Sequence, residues 1–182
     1  MSVDATRIMV YGVTGSGKST IAAKIGQRLG LPYHSVDDLT WEPGWVPVPT
    51  EIQRERIAAI CAEDAWVLDT AYSAWIDVPL ARVQLIVGLD LPRWRSLSQL
   101  VRRTLTRAVT RELACNGNVE RWRQIIHTDS ILVWHFRSFK RKQRRMRQWA
   151  ADESMPPVVL LRSRQEVANW LAELPSADRS TT

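Results

Sequence analysis

The chain has 182 residues, of which 45% are hydrophobic, and its formal net charge is +6. That length and apolar content suit one globular domain with its own core; no apolar run approaches the roughly 18–20 residues of a membrane span, and nothing near the N-terminus has the pattern of a secretory signal. Cys61 and Cys115 are far apart and too few for a disulfide scaffold or a four-cysteine zinc site, which fits a cytoplasmic protein.

Residues 7–11 (Arg-Ile-Met-Val-Tyr) read as a short buried strand, and Lys18 to Leu29 as the helix after it, with Gly30 as its C-cap and Pro32 beyond. Residues 32–36 form a second strand ending at Asp37, followed by a Trp/Pro-rich loop, Trp41-Glu42-Pro43-Gly44-Trp45. Pro49-Thr50 opens a helix over 51–62. Residues 66–68 make a third strand ending at Asp69, and residues 84–89 a fourth ending at Asp90. Pro92 starts a basic helix to about 107. Thr110 to Asn118 contains Asn116-Gly117-Asn118 and reads as a mobile loop. Val119 to about Ala150 is expected to be helical, with a break near Asp129-Ser130; Phe139, Met146 and Trp149 fall near helical spacing and would pack on the body. Residues 158–161 form a fifth strand, and Ser163 with Glu166 is a capping box for a last helix to about 173. Residues 1–174 are thus read as one domain and 175–182 as a disordered polar tail.

Short apolar strands alternating with helices predict an α/β fold with a parallel sheet covered on both faces. In such sheets ligands bind at the carboxyl edge of the strands, where three of the five predicted strands end in aspartate.

Gly12-Val13-Thr14-Gly15-Ser16-Gly17-Lys18-Ser19 satisfies the G-x-x-x-x-G-K-[ST] phosphate-loop pattern, with a strand before it and a helix after it. The glycines let Gly12, Thr14, Gly15, Ser16 and Gly17 turn backbone N–H groups toward phosphate oxygens, and the helix beginning at Lys18, Ser19 and Thr20 offers its positive end. Lys18 reaches the β- and γ-phosphates of ATP, and the Ser19 hydroxyl ligates Mg²⁺. No Asn-Lys-x-Asp motif is present, which excludes a typical GTP-binding switch, and the chain is short for a motor or transporter. A small kinase remains.

Phosphoryl transfer spreads negative charge, so cations must converge on it. Arg103 and Arg107 share one helix face just before the predicted loop, and Arg121 follows it; all three are candidates, against the alternative of a solvated basic surface. The run Arg137 to Arg147 has more arginines than one triphosphate needs, so nucleic acid stands as an alternative partner to a small phosphate acceptor.

The phosphate loop, Val36-Asp37 with Trp41 and Pro43-Gly44-Trp45, Trp66-Val67-Leu68-Asp69 with Tyr72-Ser73, Leu89 to Arg93, Arg102 to Arg107, Glu120-Arg121 and Val159 to Val167 together carry a resemblance. The chain resembles the adenylate-kinase-related family often labelled DNA topology modulation proteins, within the wider group of nucleoside-monophosphate, shikimate and gluconate kinases. The resemblance covers most of residues 7–171. It implies a P-loop NTPase fold of the nucleoside-monophosphate-kinase type, with the five strands ordered 2-3-1-4-5 and an arginine-rich helical lid over about 103–121. It implies that Asp37 orients the acceptor hydroxyl, accepts its proton or holds Mg²⁺ through water, and that Asp69 is the metal's carboxylate partner. It further implies that Arg103 and Arg107 act as lid arginines and that Arg141 turns toward the phosphates. One departure stands out. Relatives commonly have Asp-Gly where this chain has Asp69-Thr70, which puts the acceptor pocket or the activity in question.

Overall fold

The computed structural model describes residues 4–70, 72–110 and 131–176. Strands β1 (Arg7–Gly12), β2 (Tyr33–Ser35), β5 (Trp66–Thr70), β6 (Leu85–Leu89) and β7 (Val158–Leu161) build one sheet, and β3 (Trp41–Glu42) and β4 (Val46–Pro47) pair as a small antiparallel hairpin. The large sheet runs β2-β5-β1-β6-β7 with every pairing parallel. That is the 2-3-1-4-5 order expected of the five sequence-predicted strands. The three central strands are buried along almost their whole length because both faces are covered.

Two cores result. On one face Met9, Tyr11, Leu68 and Ile86 pack with Val36 of α2 (Val36–Thr40), Ile57, Ile60 and Cys61 of α3 (Thr50–Ala62) and Met146 of α6 (Ile131–Ala151). Tyr72, just after β5, and α4 (Asp77–Leu80) lie against the same core. On the other face Ile8, Val10, Val67 and Val87 meet Ile21, Ala22 and Ile25 of α1 (Lys18–Leu29) and Val167, Trp170 and Leu171 of α7 (Arg164–Glu173). Helix α5 spans Arg93–Thr110. Among the described residues no helix is long and apolar enough to cross a membrane.

Contacts with the sheet set the position of α6. A Cβ added at Gly88 in β6 would lie 2.7 Å from Leu160 Cδ2 and 3.6 Å from Met146 Sδ, so the bare glycine lets the helix approach closely. Tyr11 and Trp149 meet edge to face at 4.8 Å. Just past β6, the buried Asp90 carboxylate accepts hydrogen bonds from Gln143 Nε2 (2.8 Å) and Arg147 Nε (2.8 Å). One turn N-terminal to Met146, α6 has therefore reached the carboxyl edge of the sheet.

Local structure departs from the sequence reading near the second strand. That strand stops at Ser35, and Asp37 lies in the first turn of α2. The reason is tertiary: the Asp69 carboxylate in β5 accepts the Val36 N–H at 3.1 Å and so caps the new helix from the neighbouring strand. Asp69 correspondingly lies inside β5, which continues through Thr70. The Trp/Pro-rich segment is the β3–β4 hairpin, closed by Gly44 (φ 83°) and Trp45 (φ 60°) in the left-handed region. The basic helix runs to Thr110, beyond its expected end. The capping box is formed: the Glu166 N–H donates to Ser163 Oγ at 3.1 Å. The expected loop at 110–118 beyond Thr110, the helix expected from 119 up to Ile131, and the tail beyond 176 lie outside the described residues.

Candidate active site

The loop from Gly12 to Gly17 joins the end of β1 to the start of α1. Gly15 and Gly17 hold φ values of 79° and 88°, a region costly for any residue with a side chain. Gly15 has a second reason to be bare, since a Cβ there would meet the Ser96 carbonyl oxygen at 2.5 Å and Leu100 Cβ at 2.8 Å on α5. The Gln99 amide, oriented by its hydrogen-bond network, donates to the Gly15 carbonyl at 2.7 Å and accepts from Arg164 Nη2 at 2.8 Å. Helices α5 and α7 thus brace the loop. Thr14 lies half-buried within this loop, and Thr20 lies exposed in the first turn of α1. The Ser16 hydroxyl is buried in this loop without a protein partner, an orphaned polar atom.

Lys18, the first residue of α1, donates to the Val13 carbonyl at 3.2 Å and so arches back over the loop. Burial lowers its pKa, while Asp69 and Asp37 oppose that shift and Arg103 adds to it. Next to it Ser19 Oγ donates to Asp69 Oδ2 at 2.5 Å. Burial raises the Asp69 pKa, against the Ser19 hydrogen bond and the Lys18 charge. The phenol of Tyr33 stands beside the same pair, its pKa raised by burial and then by Asp69.

These residues fit a hydrated magnesium ion. Ser19 and Asp69 offer hard oxygens 2.5 Å apart beside the phosphate cradle, and magnesium needs few protein ligands because it keeps most of its waters. The Ser16 hydroxyl and the Gly15 and Gly17 backbone fit phosphate oxygens.

Asp37 joins the site from the first turn of α2 and acts on both Lys18 and Asp69. Its Oδ1 accepts the Tyr72 hydroxyl at 3.2 Å, and the same phenol accepts the Trp41 Nε1–H at 3.1 Å. Arg103 on α5 is half-buried and acts on Lys18. Arg107 belongs to α5, but its side chain, like all of Arg121, lies outside the described residues.

The basic run on α6 divides by helix face. Arg137, Lys140, Arg141 and Arg144 are exposed, Arg147 pairs with Asp90, and Arg145 acts on the Tyr11 phenol. Lys142 turns inward and is only 5% exposed. Burial, reinforced by Lys18, Arg141 and Arg145 and opposed by Asp37, pulls its pKa down to about 7. Sequence reasoning singled out Arg141 in this run and passed over Lys142. The signal was available: Phe139, Lys142 and Met146 stand at i, i+3 and i+7, so an inward face containing the two apolar residues must also contain the lysine.

No family model matches the chain, and no curated protein does. Solved structures of kinases are similar to it. A gluconokinase from Sinorhizobium meliloti superposes with a TM-score of 0.51 at 18% identity, covering 91% of this chain and 90% of the other. A shikimate kinase from Bacteroides thetaiotaomicron gives a TM-score of 0.52 at 11% identity, over 92% of this chain and 95% of the other. At such identities the likeness is one of fold: a P-loop α/β architecture with a parallel five-stranded sheet.

Proposed function

We propose that the chain is a cytoplasmic MgATP-dependent phosphotransferase that moves the γ-phosphoryl group to a hydroxyl of a small acceptor. The observation that carries the reading is the convergence of Lys18, the Ser19–Asp69 pair and Asp37 at one sheet edge, with Lys18 acted on by both carboxylates. A protein that merely bound nucleotide would need the loop and Lys18; Asp37, an exposed carboxylate beside them, suits a second substrate. A carboxylate is also a proton acceptor for an alcohol, whereas a nucleoside monophosphate already offers an anionic nucleophile that Asp37 would repel.

The loop N–H groups and Lys18 hold the phosphates. Bound at Ser19 and Asp69, magnesium would supply the further positive charge that phosphoryl transfer requires. Lys142 and Arg103 add cations from α6 and α5, where low solvent exposure strengthens each interaction. Asp37 orients the acceptor hydroxyl and takes its proton. We assign Arg107 and Arg121 to the lid that covers the site, and Arg141 to its rim. Within this fold the Asp37-x-x-x-Trp41 and Pro43-Gly44-Trp45 elements support membership of the adenylate-kinase-related group named above.

ADP release from MgATP against a panel of polyols, sugar acids, cyclic alcohols and nucleoside monophosphates tests the reading. A hydroxylated acceptor should raise release well above the rate in water, and Lys18→Ala should abolish the rise. Stimulation by monophosphates alone would replace the alcohol with a phosphate acceptor; release that persists in Lys18→Ala would overturn the site.

A further inference from the structure

The Asp37 carboxylate is tied from outside its own helix. The residue sits exposed in a five-residue helix, and its carboxylate faces the Lys18 ammonium electrostatically. An untied aspartate there would be drawn onto Lys18, cancelling the charge meant for phosphate and leaving the acceptor without a base. Something must hold the carboxylate away.

The Tyr72 phenol is placed to do so. It donates to Asp37 Oδ1 at 3.2 Å while accepting the Trp41 indole N–H at 3.1 Å, and Thr40 Oγ1 stands 3.2 Å from it. With its oxygen engaged by the indole, the phenol's proton is directed to the carboxylate, and a donor that is itself hydrogen-bonded is a stronger donor. The ring is fixed as well. It stacks on Trp75 at 5.5 Å and 19°, and Trp75, fully buried, donates from Nε1 to Gln53 Oε1 at 3.0 Å. The backbone is fixed by Thr70: its buried hydroxyl oxygen accepts the Tyr72 N–H at 3.2 Å. Thr70 does not lie in the left-handed region, so β5 places no demand for glycine there.

We propose that Tyr72, braced by Trp41 and Thr70, is the positioning residue for Asp37, occupying Oδ1 so that Oδ2 serves the acceptor hydroxyl. On this account the Asp69-Thr70 departure from Asp-Gly is the support of that device and not a loss of function. The Asp37-x-x-x-Trp41 spacing acquires a cause too: one turn of α2 brings carboxylate and indole to opposite sides of one phenol.

The proposal rests on the transfer reading above, and the experiment separates the two. ADP release from MgATP, with water as the probe acceptor, is measured beside MgATP affinity by calorimetry and thermal midpoint for Tyr72→Phe, Thr70→Ala, Thr70→Ser, Asp37→Asn and the Asp37→Asn/Tyr72→Phe double variant. Tyr72→Phe keeps the stacked ring and should lower kcat by about ten- to a hundredfold with MgATP affinity unchanged. In the Asp37→Asn background it should cost nothing more, because the group it positions is gone. Thr70→Ala should lose part of the rate and Thr70→Ser keep it. Full additivity of Tyr72→Phe with Asp37→Asn, or an unchanged kcat in Tyr72→Phe, overturns the positioning role while leaving the transfer reading intact. A wild-type protein that binds MgATP and releases no ADP, in water or with any of the hydroxylated acceptors above, overturns the transfer reading and the proposal together.

Discussion

Lys142 is an ammonium carried into the interior by one face of a helix otherwise studded with exposed arginines. Its folded pKa of about 7 lies below the ordinary lysine value of 10.5. Between those values the unfolded chain holds a proton that the folded chain has released, so its contribution to stability rises with pH across that window; below about 7 both states are protonated and the full cost of the buried charge is present. Ligand binding has the opposite dependence. The charged form attracts phosphate, so affinity for MgADP should fall as pH rises through about 7. Facing Lys142 in this balance are Lys18 from α1, Asp37 from α2 and Arg141 and Arg145 on its own helix. We expect Lys142→Met to raise the thermal midpoint of the ligand-free protein at pH 6.5 by roughly a few degrees and to flatten the pH dependence of MgADP affinity. Calorimetry at pH 6 and pH 8.5 checks both. An unchanged affinity profile would remove Lys142 from the phosphate site.

Helix α6 holds that lysine in place, and Asp90 fastens the helix. The Asp90 side chain is wholly buried and accepts from Gln143 and twice from Arg147, at 2.8 and 3.2 Å. Arg147 is itself 57% exposed, so water screens the ion-pair part and the hydrogen bonds carry most of the effect. Asp90→Ala should cost about 1–3 kcal/mol in urea unfolding. It should also weaken MgADP binding, because the helix that it releases carries Lys142. A loss of stability with affinity intact would show that α6 keeps its place through Met146 and Trp149 alone. As a sequence feature Asp90 is only a residue before a proline-started helix, since its partners lie 53 and 57 positions away.

At the scale of the molecule, the two cores share one sheet, and the glycine-rich loop of the candidate site grows from its central strand. Nucleotide bound at that point should stabilise the domain as a unit. At a hundred times its dissociation constant MgATP should add about 2.7 kcal/mol to the unfolding free energy. Lys18→Ala should unfold at a midpoint that nucleotide no longer moves, and a single transition seen by tryptophan fluorescence and by circular dichroism would confirm that the sheet and both helical layers unfold together.

The sequence by itself determined what depends on short-range chemistry. The glycine pattern and Lys18 specify a tight loop with Gly15 and Gly17 at positive φ and the lysine folded back on Val13, because backbone φ values and side-chain reach are local properties. Five apolar runs separated by helical ones specify a parallel sheet covered on both faces, because burial on two sides erases the polar alternation of a half-exposed strand. Tertiary structure decided the rest. The first turn of α2 exists because the Asp69 carboxylate reaches Val36 across 33 positions, and Asp37 meets Tyr72 across 35. The spacing of Phe139, Lys142 and Met146 already put the lysine on one helix face with two apolar residues, but the partners that seat that helix, Gly88 and Asp90, came only with the fold. Such pairings depend on where the sheet brings distant segments together, and no window of neighbouring residues contains that information.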